Sequence, residues 1–276
     1  MSDTFRAFDV VRVEKERTNP AADRVAVELP LEVRLEGEPF SVIMRTPGAD
    51  EDLAVGFLFT EGVIRNAGEI RRVELAEAPN VINVRLSRAR AEILPELLGL
   101  RRQVTTNSSC GMCGRRTLES LEVNAPPLAA RWSVRSDLVA SLPHSLRAAQ
   151  RTFDETGGLH AAGLFDTEGR LEISAEDVGR HNAVDKLLGR MVMTHRTPLE
   201  MSLLFVSGRS SFEIIQKAFL GGIPLVAAVS APSSLAIDLA RKSGITLLGF
   251  VRDSRFNIYA HHERVQVGET TRRSLP

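Results

Sequence analysis

From Ser202 onward the chain alternates strand-length apolar runs with segments of helical length: Ser202–Val206, Phe212–Leu220, Leu225–Val229, Leu235–Ser243 and Thr246–Val251. Strand, helix, strand, helix, strand in that order predicts parallel strands with helices packed on them. Such a sheet must bring its strand-end loops to one edge. These loops are Ser207-Gly208-Arg209-Ser210-Ser211, Ser230-Ala231-Pro232-Ser233-Ser234 and Arg252-Asp253-Ser254-Arg255. Ser210 with Glu213 fits a capping box, and Pro232 suits a first helical turn, so helix capping alone accounts for the serines. It does not account for Arg209, Arg252 and Arg255. Two helix amino ends with three guanidinium groups make a cradle for a phosphorylated ligand, although neither a Gly-x-Gly-x-x-Gly nor a Walker sequence is present.

The amino-terminal half reads differently. Val10–Lys15, Arg24–Leu35 and Pro39–Arg45 alternate apolar and polar residues, most clearly from Val25 to Leu35, as half-buried strands do. Glu36-Gly37-Glu38 is then a hairpin turn. Asp50 is placed to cap a helix from about Glu51 to Glu61 that buries Leu53, Phe57 and Leu58. Ile70–Leu75 and Asn80–Leu86 predict two more strands, and Ile93–Leu98 a short helical turn interrupted by Pro95. Asn124-Ala125-Pro126-Pro127 marks the exit from this part, giving a small α+β domain over residues 1–125 and a second domain over 126–276.

Beyond that boundary, Leu138–Phe153 predicts a helix, and Leu159–Phe165 with Arg170–Ile173 a hairpin. Ser174 with Asp177 is read as opening another helix, whose apolar positions are Val184, Leu187, Leu188 and Met191. On that reading Asp177, His181 and Asp185 stand four apart on another face. The acids can orient or charge the imidazole, or the three can form a solvated face with ion pairs.

The two cysteines of the chain, Cys110 and Cys113, are spaced Cys-x-x-Cys, each followed by a glycine (Gly111 and Gly114), and they stand ahead of Arg115-Arg116. Such a pair can share a metal, close a disulfide or pass a sulfur atom, and each use needs a thiolate that neighbouring cations favour. Zinc would need further ligands, and there is no second cysteine pair; of the six histidines only His261 and His262 are adjacent. His261-His262-Glu263 matches half of a zinc-deaminase signature but follows the cysteines instead of preceding them. A thioredoxin-like reading fails on context, because the parallel sheet lies far downstream of the pair.

Acidic and basic residues balance at 35 each, so no global field favours nucleic acid or anionic membrane. The longest wholly apolar run, Ile223–Val229, is far short of the roughly 20 residues of a membrane-spanning helix. No secretory signal is apparent in the first ten residues, and a cytoplasmic protein is expected.

Several segments together resemble one family, the formate dehydrogenase accessory sulfurtransferases. They are Arg45-Thr46-Pro47-Gly48 with Gly56-Phe57-Leu58, Ser109-Cys110-Gly111-Met112-Cys113-Gly114, Gly157-Gly158 with His160, the run from Asp177 to Lys186, Ser207-Gly208-Arg209, Val229 to Ser234, and Gly249 to Asn257. A departure falls at Leu159 and Gly163. The resemblance implies a sulfur carrier that takes persulfide sulfur from a cysteine desulfurase. It would pass the sulfur to molybdenum bis(molybdopterin guanine dinucleotide), the substrate of sulfuration, before that cofactor enters formate dehydrogenase. Cys110 matches the persulfide position and Cys113 its partner. Phe250, Val251, Arg252, Asp253, Ser254 and Arg255 match the cofactor-binding segment, and Ser207, Gly208, Arg209, Ser230 and His181 complete the expected cofactor set. A cytidine-deaminase-like three-layer α/β/α carboxyl-terminal domain, a smaller mixed amino-terminal domain and a homodimer are implied too. The competing expectation is a cofactor-binding chaperone whose cysteines hold structural zinc.

Overall fold

A computed structural model describes residues 4–99 and 126–268. The elements up to residue 99 are β1 (Phe5–Glu14), β2 (Arg17–Ala26), β3 (Leu29–Leu35), β4 (Glu38–Arg45), α1 (Asp50–Thr60), β5 (Ile70–Leu75), β6 (Val81–Leu86) and α2 (Arg88–Gly99). After them come β7 (Val134–Arg135), α3 (Ser136–Ala149), α4 (Arg151–Thr156), β8 (His160–Asp166), β9 (Leu171–Asp177), α5 (Arg180–Met193) and β10 (Ser202–Val206). The last are α6 (Phe212–Leu220), β11 (Leu225–Ala228), α7 (Ser234–Ser243), β12 (Thr246–Arg252), β13 (Arg255–Ala260) and β14 (Val265–Gln266). The protein is thus mixed α/β. Its described residues fall into two compact units, one drawn from Met1–Asn124, Ala148–Ala162 and Ser174–Thr197, the other from Ala125–Arg147, Gly163–Ile173 and Pro198–Pro276.

In the first unit a four-stranded sheet runs β4-β3-β6-β5. The turn between β3 and β4 has positive φ at Glu36 and Gly37, as tight two-residue hairpins require, and Gly37 N donates to Asn83 Oδ1 at 2.9 Å. The long alternation from Arg24 to Leu35 is not one strand. β2 ends at Ala26 in a separate two-stranded ribbon with β1, and β3 begins at Leu29 in the four-stranded sheet. Alternation reports only which way side chains point, and it survives a change of hydrogen-bonding partner.

Two helices of this unit touch backbone to backbone. A Cβ on Gly56 of α1 would stand 1.8 Å from the Asp185 carbonyl oxygen of α5, and one on Gly189 of α5 would stand 1.8 Å from that of Asp52. Both positions are therefore restricted to glycine. The expected cap of α1 is corrected: the N-cap is Ala49 in the left-handed region, with no side-chain bond. The Asp50 carboxylate is occupied by Arg45, whose Nε and Nη2 reach its two oxygens at 2.9 and 2.8 Å. α2 begins at Arg88, well before the expected turn at Ile93. Its first turn is polar and carries no apolar signal, yet Arg90 is buried there and donates to the carbonyls of Val63 (2.6 Å) and Gly62 (3.0 Å).

The six-stranded sheet has the order β13-β12-β11-β10-β8-β9. In the second unit β10, β11 and β12 are parallel, as the alternation predicts, and β13 is antiparallel to β12. Every residue of β10 and β11 is buried, which explains why those strands read as continuous apolar runs. Arg264 fastens residues 128–130 to this unit, its guanidinium donating to the carbonyls of Gly244, Leu128 and Ala130. Burial holds that guanidinium below its usual pKa.

Two helix boundaries differ from the sequence reading. The predicted helix over Leu138–Phe153 is two, α3 and α4, separated at Gln150, because the amides of Thr152 and Phe153 donate to the Glu176 carboxylate at 3.0 and 2.8 Å. The helix predicted from Ser174 starts at Arg180, after Gly179 as N-cap, and residues 174–177 are the end of β9.

Candidate functional site

Three strand-end loops are joined in the second unit. Ser233 N donates to Ser210 O at 3.0 Å, and Ser210 forms a single bridge with Pro232. Phe250 N donates to Ser230 O at 3.2 Å. The loops after β10, β11 and β12 therefore share one edge, as the alternation demands. Ser207 and Gly208 are half-buried there, Arg209 is exposed, and Ser230 is half-buried. α6 and α7 both begin at this edge. α7 is capped by Ser233, whose Oγ accepts from Ala236 N at 3.3 Å.

The capping box expected at Ser210 and Glu213 does not form. Helix α6 starts at Phe212 behind Ser211, and the bridge to Pro232 holds Ser210 in extended backbone one residue too early. Ser210 is fully buried with its hydroxyl unbonded. Pro232, held in the same bridge, precedes the cap of α7 instead of entering its first turn.

The backbone is irregular at the end of β12. The pairing with β13 shifts register between Gly249 and Arg252, and Phe250 has φ 55°, a conformation bulky residues rarely hold. Gly249 beside it is walled in: a Cβ would meet Pro232 Cδ at 3.0 Å and Ser230 O at 3.1 Å. The bulge leaves Phe250 41% exposed and Val251 fully buried. Asp253 and Ser254 are the hairpin turn, and Arg252 pairs in register with Arg255. All four residues from Arg252 to Arg255 are exposed. An exposed ring that can stack on a base, beside guanidinium groups that can fork onto phosphate, suits a nucleotide. Residue-level strain of this kind concentrates at ligand sites.

His181, the remaining expected cofactor residue, lies in the first unit at the start of α5. There the carboxylate of Asp177, wholly buried, organises the β9–α5 turn. It accepts from Gly179 N and Asn182 Nδ2, both at 2.8 Å, and from Thr46 N at 3.2 Å, and it pairs with Lys186 Nζ at 2.7 Å. Lys186 also donates to the carbonyls of Thr46 (3.0 Å) and Glu176 (3.2 Å), and the Thr46 hydroxyl accepts from Val178 N. Asp185 is buried and accepts from Thr60 Oγ1 at 2.9 Å. The solvated face of Asp177, His181 and Asp185 is thus corrected: Asp177 is not on the helix, and both acids are interior. A cavity of about 250 Å³ opens beside Thr46, Gly48, Thr152, Ser174, Glu176 and Lys186.

Sequence reasoning passed over Thr46 and Lys186 as working residues. The available signal was a lysine nine positions after an aspartate across a helix start, which becomes a buried pair only when a strand precedes the helix. His160, at the start of β8, is held below the usual imidazole pKa by burial, then by Arg180 and His181, with Asp177 opposing.

Cys110 and Cys113 lie outside the described residues. Among the described residues no three His, Cys, Asp or Glu side chains gather as a metal site, so no zinc-binding group is found there. Both ring nitrogens of His261 are engaged, by Glu263 Oε1 at 3.1 Å and Arg241 O at 3.2 Å. No helix among them is long and apolar enough to cross a membrane.

Comparison with known proteins places this geometry. Residues 26–266 match the FdhD/NarQ family. A protein named sulfur carrier protein FdhD from Streptomyces avermitilis is 47% identical over 272 residues, covering 93% of this chain and 94% of that protein. One of the same name from Saccharolobus solfataricus is 42% identical over 264 residues, covering 94% and 98%. A crystal structure provisionally described as a formate dehydrogenase accessory protein from Desulfotalea psychrophila superposes with a TM-score of 0.77 at 26% identity, covering 96% of this chain and 100% of that one.

Proposed function

The chain belongs to the FdhD/NarQ family, and from that premise we propose that it is a cytoplasmic sulfur carrier in the maturation of formate dehydrogenase. The Cys110 thiolate attacks the outer sulfur of a persulfide on a cysteine desulfurase; a new S–S bond forms on Cys110, the donor's S–S bond breaks, and the donor leaves as thiolate. Cys113 then attacks the inner sulfur. A Cys110–Cys113 disulfide forms, and the outer sulfur leaves as hydrosulfide with both electrons, ready to become a ligand of the molybdenum centre. A dithiol reductant restores the pair. Arg115 and Arg116, next in sequence, favour the thiolate.

The acceptor in this reading is molybdenum bis(molybdopterin guanine dinucleotide), bound as substrate at the strand-end loops of the second unit. Phe250 stacks on guanine, Arg209, Arg252 and Arg255 hold phosphate, and backbone and hydroxyl groups of Ser207, Gly208, Ser230, Asp253 and Ser254 complete the cradle. Val251, being buried, acts through its backbone alone; His181, which lies in the first unit, is proposed as a cofactor contact in its own right. The sheet is assigned to the cytidine-deaminase-like three-layer class, and the working form is a homodimer. One observation supports the ligand reading above the rest: Phe250 is held exposed, in a strained conformation, beside a glycine whose Cβ would stand only 3.0 Å from Pro232 Cδ and 3.1 Å from Ser230 O.

Incubating the protein with desulfurase and radiolabelled cysteine, then measuring bound sulfur and zinc, tests the reading. Transferable sulfur on the protein is expected. Stoichiometric zinc with no transferable sulfur would leave a zinc-bearing chaperone in its place.

A further inference from the structure

His160 begins β8, the neighbour of β9 in the sheet, and it lies within electrostatic reach of Arg180 and His181 at the head of α5. β8 and β9 form a hairpin of two seven-residue strands, closed by Asp166 N to Arg170 O at 3.1 Å. The hairpin returns the end of β9, at Asp177, to the beginning of β8, at His160. Three residues after Asp177, past Val178 and Gly179, the chain enters α5 through Arg180 and His181.

The acids nearby are committed elsewhere. Asp177 is paired with Lys186 and holds three further donors, from Thr46, Gly179 and Asn182. Glu176 receives the amides of Thr152 and Phe153. Arg180 has its Nε buried without a hydrogen-bond partner. Like charges brought together with the local carboxylate already neutralised favour a counter-anion. Gly179, as N-cap, adds no side-chain acceptor, so α5 also presents its positive end uncapped by a side chain.

We propose that His160, Arg180 and His181 form an anion site of the phosphate class, filled by a phosphate or pyrophosphate group of a ligand. Arg180 supplies the permanent charge, and the two imidazoles supply donors whose strength depends on protonation. The proposal rests on the reading of His181 as a cofactor contact only for the identity of the phosphate's carrier.

The site carries its own reporter. Burial, Arg180 and His181 all disfavour protonated His160, and Asp177 on β9 opposes them only weakly. A bound anion reverses that field, so binding draws a proton onto His160 and tightens as pH falls. A rise of one pKa unit corresponds to about tenfold tighter binding to the protonated form.

The experiment follows the His160 ring resonance by NMR in the full chain, assigned with His160→Gln, through pH titrations with inorganic pyrophosphate, GDP or guanosine. A rise of about one unit with pyrophosphate and GDP, and none with guanosine, is expected. Response to GDP but not pyrophosphate assigns the phosphate to a nucleotide; response to both assigns recognition to the phosphate alone. Arg180→Gln, with folding checked by circular dichroism, should raise the pKa of the ligand-free His160 and abolish the response. No shift at saturating pyrophosphate and GDP overturns the proposal, as does an undiminished response in Arg180→Gln. The GDP affinity of Arg252→Ala reports separately on the strand-end loops, so either site can fail without the other.

Discussion

Replacing Lys186 with methionine keeps an unbranched stem of similar shape and removes the terminal ammonium with its charge and three donors. Lys186 is 4% and Asp177 0% exposed, with Nζ and Oδ2 2.7 Å apart, so solvent screens the pair little. At an effective dielectric of about 20 the gross attraction is about 6 kcal/mol, from which desolvation of both ions subtracts. The variant leaves a buried carboxylate without its cation, although amides of Thr46 and Gly179 and the Asn182 side chain still donate to it. It also strands the carbonyls of Thr46 and Glu176. The expected loss is about 3 to 5 kcal/mol, a large part of the roughly 5 to 15 kcal/mol that holds a domain folded. Urea denaturation followed by far-ultraviolet circular dichroism measures it. Asp177→Asn alone should also destabilise, but adding it to Lys186→Met should cost less than the sum of the single changes, with about 2 kcal/mol of coupling. A loss below about 1 kcal/mol for Lys186→Met, or strict additivity, would refute the claim that this pair organises the β9–α5 turn.

Gly56→Ala places a methyl 1.8 Å from the Asp185 carbonyl oxygen, so α1 and α5 must separate. A loss of about 3 kcal/mol or more is expected by denaturation, and near-wild-type stability would contradict the close crossing. Arg252→Ala and Arg255→Ala should each weaken GDP binding about ten- to a hundredfold by calorimetry, with lysine recovering only part of the loss because it lacks the planar fork. Unchanged affinity in both means that the loops are only capped helix starts. The depressed pKa of His160 means that the folded state takes up its proton later than the unfolded chain. Its stability contribution is present above the unfolded value near 6.5 and is lost as pH falls from there through the folded value. His160→Gln should flatten the pH dependence of stability in that window, and an unaltered slope would place the titration elsewhere.

The parallel strands were legible because their signals are local: β10, β11 and β12 are short apolar runs, and the loops between them carry Gly, Pro and Ser. The shared edge followed from topology alone. What stayed hidden depended on partners far away in sequence. Ser174 and Asp177 make a credible helix start until Thr46, 131 residues earlier, donates its amide to Asp177 and accepts from Val178 with its hydroxyl. Asp50 looked like a cap and is instead the partner of Arg45. Ser210 and Glu213 have the spacing of a capping box, but Pro232 holds the backbone out of reach of it. Phe250 carries no sign of its positive φ beyond the glycine before it, because the bulge arises from pairing with β13. The interior ionic network was missed for the same reason: a polar residue looks solvated until its partners are known.

Sulfur on Cys110 is the claim on which the functional account depends. The most direct measurement is mass spectrometry of tryptic peptides, taken without reductant after incubation with cysteine desulfurase and cysteine, for wild type, Cys110→Ala and Cys113→Ala. One extra sulfur atom on Cys110 in the wild type and in Cys113→Ala, and none in Cys110→Ala, is the predicted result. Sulfur retained by Cys110→Ala and lost from Cys113→Ala would reverse the carrier, and an unlabelled wild type under conditions that load the desulfurase itself would contradict the account.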